Sequence, residues 1–290
     1  MQETVSSSHG QSRSGLSRLK SGVTSVWADI LKGKLDIWIA KWRLRAVYRG
    51  APVPLEQVLA LRSTSQCENA LLPAGWTVRS TAKSLRNPFL SNQLADVELG
   101  TWRLSAWTLN LLESQIRHLE PQVVLEFGSG VSTVCLARYM QELHGNLNRT
   151  YVFSIEQDAD FAQETMRLLK ALQLDQYVRV ICAPLRSQVI EGVQTTCYDL
   201  THIRLQSVLG THRPDFVLID GPVGESDTRF GDLALVRDFL APQARFFMDD
   251  ALRDEELQVA RLWKKLAYIQ VDGVYLNGKG LLAGRIAGRA

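Results

Sequence analysis

The stretch VVLEFGSGVSTVCLA, Val123 to Ala137, sets two glycines, Gly128 and Gly130, between an apolar run and a segment that reads as a helix. VVLEF is apolar along its length apart from Glu126, the pattern of a strand covered on both faces. From Val131 the apolar residues return at helical spacing, opened by the hydroxyls of Ser132 and Thr133. A strand that turns through Gly-x-Gly into a helix starts a βα unit. Three uses of the turn compete: a dinucleotide cradle, a pocket for another adenosine cofactor, or a tight connection only.

Working outward, further short apolar runs alternate with amphipathic segments. YVFSI (Tyr151 to Ile155), VRVICA (Val178 to Ala183), DFVLI (Asp215 to Ile219) and ARFFM (Ala244 to Met248) read as strands. Helices are expected at about 104–119, 131–143, 159–172, 198–209, 228–240 and 255–265. Beyond them Tyr268 to Leu276 and Gly280 to Ile286 flank Asn277-Gly278-Lys279, a turn that suits a hairpin. The fold class is α/β: a Rossmann-like, mostly parallel sheet closed by a C-terminal antiparallel hairpin.

Upstream of this pattern, residues 1–20 are rich in Ser, Gly and Arg and are expected to be a disordered tail. Residues 21–100 read as a helical N-terminal extension and 101–290 as the main domain. Between Val23 and Tyr48, Val23, Trp27, Ile30, Leu31, Leu35, Trp38 and Trp42 form one stripe of an amphipathic helix or helix pair. A second helical piece spans about Leu55 to Arg62, and a loop-rich stretch with Pro73, Gly75 and Pro88 follows.

The chain has 290 residues, 46% of them hydrophobic, ample for a substantial core. The net charge of +3 is uneven: Met1 to Gln66 holds ten Lys/Arg against four Asp/Glu, leaving 23 against 26 in the rest. An acidic main domain excludes a nucleic-acid groove across it. Cys67, Cys135, Cys182 and Cys197 lack disulfide-framework or zinc-ligand spacing, and no apolar run reaches the ~18 residues of a membrane span. A cytoplasmic protein is expected. Indoles beside Lys and Arg within 23–48 suit peripheral contact with an anionic membrane, although such a stripe more often covers a core as a packed lid or a homo-oligomer interface.

A nicotinamide-binding turn reads G-x-G-x-x-G, but here Gly128 and Gly130 are followed by Thr133 in the third place. Instead the string is Glu126-x-Gly128-x-Gly130-x-Ser132-Thr133. A carboxylate beside the turn repels pyrophosphate and suits a ligand with an ammonium or sulfonium group. At these residues the sequence resembles the class I S-adenosylmethionine-dependent methyltransferases, over about Leu104 to Ile286. The resemblance implies that Glu126, Gly128, Gly130 and Ser132 meet the methionine portion of S-adenosylmethionine. It implies that Glu156, after the second strand, accepts from the ribose hydroxyls, and that backbone at Ala183 or Leu185 meets the adenine.

The fourth and fifth strands end in Asp220-Gly221-Pro222 and Asp249-Asp250. Ligands of open α/β sheets bind outside the carboxyl ends of the strands, so these aspartates are expected to face the methyl acceptor. The pattern is similar to the catechol O-methyltransferase type, which implies magnesium on Asp220, Asp249 and Asp250, with Asp220 also near the cofactor. It departs from that type in Asp250, where an Asn is usual, and in Val223, where a Lys is usual. It also resembles a branch reading E-F-G-S-G-x-S-T, I-D-G-P, an arginine and a D-D pair. Arg229 matches that arginine and is a candidate grip on an anionic or sugar-linked acceptor. Asp220, Asp249, His202 and Tyr198 are candidate bases. Two functions follow as expectations: O-methylation of a small-molecule or glycan-like acceptor, or a catalytically silent interaction protein that docks through its N-terminal helix.

Overall fold

The computed structural model describes residues 51–63, 84–99, 103–145, 149–201, 203–224 and 227–287. The expected tail at 1–20, the helix at 23–48 and the side chain of His202 lie outside these residues. Among the described residues the strands are β1 (Val124–Phe127), β2 (Val152–Glu156), β3 (Val178–Cys182), β4 (Leu185–Ile190), β5 (Val193–Tyr198), β6 (Phe216–Ile219), β7 (Arg245–Asp249), β8 (Ile269–Tyr275) and β9 (Leu281–Ile286). The helices are α1 (Leu55–Ser63), α2 (Pro88–Gln93), α3 (Ala106–Leu119), α4 (Val131–His144), α5 (Ala159–Ala171), α6 (Leu205–Leu209), α7 (Phe230–Val236) and α8 (Asp254–Lys265).

A seven-stranded sheet has the order β3-β2-β1-β6-β7-β9-β8. The strands from β3 to β7 in that order run parallel, and β9 is antiparallel to both β7 and β8. Every residue of β1, β2 and β6 is buried, as their apolar runs require. The chain winds outward from β1 through β2 to β3 and then returns to β6 beside β1. That reversal makes the gap between β1 and β6 the switch point, where a crevice opens beyond the strand ends.

The helices sit in two groups, α3, α4 and α5 packing in sequence and α7 packing on α8. Ser105 caps α3 by accepting from the Thr108 N–H, and Asp158 caps α5 by accepting from the amides of Asp160 and Phe161. Trp263 of α8 is fully buried and donates its indole N–H to the Phe230 carbonyl at 3.0 Å, joining α8 to α7. Val53 pairs with Val274 of β8, so the chain just before α1 adds to the hairpin edge.

Three expectations differ from the structure. The helix expected at 198–209 is absent over its first half: β4 and β5 form a separate antiparallel pair that runs to Tyr198, and only α6 is helical. Ile190 opposes Val193 across Glu191-Gly192, whose φ values of 48° and 82° suit a two-residue hairpin turn. Thr195 and Thr196 favour strand over helix. The loop expected around Pro88 contains α2, because Asn87 accepts from the Leu90 N–H and Pro88 stands at the first helical position, where its missing N–H is harmless. The segment expected as one helix at 228–240 shortens to α7 followed by a tighter turn over Arg237–Phe239.

Candidate functional site

The glycine turn leaves β1 with φ of +89° at Gly128 and +152° at Gly130, backbone that side chains other than hydrogen rarely adopt. A Cβ on Gly128 would stand 3.0 Å from the Gly221 nitrogen and 3.1 Å from the Asp220 carbonyl carbon. The turn after β1 and the loop after β6 therefore touch at backbone level. A Cβ on Gly130 would instead project toward the Phe161 ring, 3.5 Å away. This side of the turn is open and rimmed by an exposed aromatic ring.

Glu126 lies beneath this turn and is wholly buried. Its Oε2 accepts from Thr133 Oγ1 at 2.6 Å and from Ser154 Oγ at 2.7 Å, and the Thr133 hydroxyl oxygen in turn accepts from the Gly130 N–H at 2.9 Å. Oε1 is buried and, among the described residues, has no hydrogen-bond partner. Burial pushes the Glu126 carboxyl up to about 7, against the pull of the neighbouring hydroxyls of Ser132, Thr133 and Ser154. Through Thr133 this carboxyl braces the turn from below. Ser132 stands in the first turn of α4 and is 7% exposed.

At the end of β2, Glu156 Oε2 accepts from the Ser129 N–H at 2.8 Å and its hydroxyl at 3.1 Å, while Oε1 accepts from the N–H groups of Gln157 and Asp158. The carboxylate is held by both its own loop and the glycine turn; four protein donors engage its four lone-pair sites, so a ligand hydroxyl would share or displace the Ser129 hydroxyl, the longest of the four at 3.1 Å. Ala183, opposite this point beyond β3, commits its N–H to the Glu156 carbonyl at 2.7 Å, so that N–H is not available to a base. Gln157 spans the crevice: its side-chain amide donates to the Val223 carbonyl and accepts from the Val223 N–H.

On the other side a cavity of about 330 Å³ opens at the ends of β6 and β7, lined among others by Asp220, Val223, Thr228, Asp250, Arg253 and Lys279. Asp220, Asp249 and Asp250 converge here, with carboxylate oxygens all within 4.8 Å of one another. Burial pushes the Asp220 carboxyl up to about 7 despite the Arg229 guanidinium. Burial raises Asp249 too, reinforced by the Asp220 and Asp250 charges. Tyr198 is buried with its hydroxyl beside Gly221, behind the loop, and its burial raises it far from a base's range.

Arg229 is turned inward. It is 5% exposed, donates to the Asp249 carbonyl at 2.8 Å and the Asp220 carbonyl at 3.2 Å, and pairs with Asp250 Oδ2 at 3.3 Å. It ties the ends of β6 and β7 together, and its committed donors leave little for gripping an acceptor. Sequence reasoning missed Ser129, Gln157, Arg253 and Lys279. Lys279 read only as part of a hairpin turn, but Leu281 pairs with Asp249, which carries the turn to the strand end. There Lys279 Nζ stands 3.4 Å from Asp250 Oδ1, and Arg253 NH1 2.9 Å from Asp250 Oδ2. The three carboxylates are of the hard kind a divalent ion takes, yet Asp250 is already ringed by three protein cations, and the trio is a poor fit for such an ion.

Residues 125–251 match the family model for a methyltransferase domain. No curated protein sequence matches the chain. Among solved structures, the O-methyltransferase TomG from Streptomyces achromogenes, involved in tomaymycin synthesis and in complex with SAM, is 17% identical; the match covers 72% of this chain and 94% of that one, with a TM-score of 0.50. The SAH-bound methyltransferase PaMTH1 from Podospora anserina is 12% identical, over 69% of this chain and 88% of its own, with a TM-score of 0.50. Residues 125–251 thus resemble a methyltransferase domain, and the sheet order is that of the Rossmann-like methyltransferase fold.

Proposed function

We propose that the chain transfers a methyl group from S-adenosylmethionine to an oxygen of a small-molecule or glycan-like acceptor. The observation that carries this reading is the pairing of Glu156, fixed at the end of β2, with the open-sided glycine turn, both facing the switch point. S-adenosylmethionine, when bound, supplies a methyl group on a positively charged sulfur. Glu156 is suited to accept from its two ribose hydroxyls, and the bare backbone at Gly130 to let its chain lie against the turn. Phe161 covers one flank.

The acceptor fits the cavity at the ends of β6 and β7. Asp220, titrating near 7, is partly ionised at neutral pH and is suited to take the proton from an acceptor hydroxyl. Bound S-adenosylmethionine would supply the methyl group, the electron pair of the broken S–CH3 bond remaining on sulfur, and an Asp220 oxygen would hold the proton given up by the acceptor. Alignment of the two ligands supplies further rate. Oxygen is favoured over nitrogen because Asp220-Gly221-Pro222-Val223 stands where many nitrogen methyltransferases carry Asn/Asp-Pro-Pro-Tyr.

Titration calorimetry with S-adenosylhomocysteine, followed by a screen of hydroxylated acceptors, tests the proposal. Glu156→Ala is expected to weaken binding by about 1 to 3 kcal/mol through lost charged hydrogen bonds. Unchanged affinity removes the ribose assignment. Binding without turnover on any acceptor favours the silent interaction protein instead.

A further inference from the structure

The acceptor cavity is lined by the carboxylates of Asp220, Asp250 and Glu256, and Asp249 lies within 4.8 Å of the first two. Their counter-charges come from three different elements. Arg229, opening α7, reaches Asp250 at 3.3 Å, Glu256 at 3.7 Å and Asp220 at 4.0 Å. Arg253, just before α8, pairs with Asp250 at 2.9 Å and Glu256 at 3.8 Å. Lys279, in the turn between β8 and β9, pairs with Asp250 at 3.4 Å. Arg229 is sealed inside and its donors are spent on strand-end carbonyls. Lys279 is different: its side chain is 31% exposed and lines the cavity.

The backbone holds Lys279 in that place. Its carbonyl accepts from the Leu252 N–H at 3.0 Å, and the Gly280 carbonyl accepts from the Ala251 N–H at 3.1 Å. Gly280 has φ of +88°, and Leu252 occupies the space a Cβ there would need. The hairpin turn is therefore clamped against the segment that follows β7, and the ammonium is delivered to the carboxylates by the fold rather than by a mobile surface chain. A divalent ion placed among the same oxygens would meet like charge from this ammonium and from two guanidinium groups.

We propose that the cation of the acceptor cavity is the Lys279 ammonium and not a divalent metal, and that it meets the acceptor oxygen as negative charge gathers there. The second half of this inference rests on the methyl-transfer reading, the first half does not. A positioned ammonium stabilises a developing oxyanion as an ion would, without needing a complete ligand sphere. It fits an acceptor whose reacting group is an acidic hydroxyl, such as a phenol or enol, better than a plain alcohol.

Electron paramagnetic resonance of Mn2+ with the full chain tests the cation. The parent protein is expected to leave Mn2+ free. Lys279→Ala is expected to take up one Mn2+ per chain, at least about tenfold more tightly, because a neighbouring positive charge is gone. Lys279→Arg, which keeps the charge, is expected to leave Mn2+ free. Stoichiometric Mn2+ binding by the parent overturns the proposal, and so does absence of uptake by Lys279→Ala. Circular dichroism and S-adenosylhomocysteine titration run on each protein separate these results from misfolding, with Lys279→Met as the second variant. If the parent fails to bind S-adenosylhomocysteine, the methyl-transfer reading falls while the Mn2+ result still decides the cation.

Discussion

Gly128→Ala puts the architecture of the switch point to the test. At φ +89° an alanine Cβ is strained by roughly 1 to 2 kcal/mol. The new methyl also meets backbone, 3.0 Å from the Gly221 nitrogen and 3.1 Å from the Asp220 carbonyl carbon. Neither side yields easily, because the Gly128 N–H donates to the Ile155 carbonyl and the Asp220 N–H to the Phe127 carbonyl. Forcing them apart adds about 1 to 3 kcal/mol of overpacking. The sum, about 2 to 5 kcal/mol, is a large share of an ordinary domain's stability and corresponds to a fall in Tm of about 5 to 15 °C. Urea unfolding and a thermal scan measure it. Gly145→Ala is the control: φ is +74° but nothing lies within 4 Å of its Cβ, so only the strain of about 1 to 2 kcal/mol should appear. S-adenosylhomocysteine affinity should fall about tenfold in Gly128→Ala and stay level in Gly145→Ala, since one lost charged hydrogen bond is of that size. Equal losses in the two variants would refute the close approach of the two loops.

Glu126 titrates near 7 in the folded chain against an ordinary 4.5, so its contribution is full below about pH 4.5 and is lost as pH rises toward 7, about 3 kcal/mol in all. Glu126→Gln should remove that part of the fall in stability between pH 5 and pH 8, and an unchanged slope in urea unfolding would count against the buried carboxyl. Arg229→Met should destabilise by about 3 to 5 kcal/mol, because Asp250 and Glu256 lose a buried counter-charge and two strand ends lose their tie; a loss under about 1 kcal/mol would make the arginine incidental. The Trp- and Lys/Arg-bearing segment 23–48 should carry the full chain down with anionic vesicles, less so at high salt, and a chain starting near Leu90 should stay in solution; identical sedimentation of both rejects membrane contact.

The chain order of the βα units was legible because each parallel strand is a short apolar run buried on both faces, and because Gly128-x-Gly130 and Asn277-Gly278 are local conformational demands written in residue type. Glu156 was legible for the same reason: the residue that ends a strand is fixed by where the strand ends. The β4–β5 hairpin was not, since Tyr198, Leu205 and Leu209 are all buried and also satisfy a helical period, while only the Glu191-Gly192 turn separates the alternatives. No local pattern could show that Glu126 lies under the turn. That depends on Thr133 and Ser154, brought to it by the helix above and the strand beside it. Nor could it show that Arg229 faces inward, or that Lys279 joins Asp250. Sequence alone determined which strands exist, their succession and the acids at their ends, because these rest on backbone preference and apolar periodicity within a few residues. Tertiary structure decided which charges stand together, because pairing β9 against β7 brings Lys279 to Asp250 across a separation along the chain that no local preference spans.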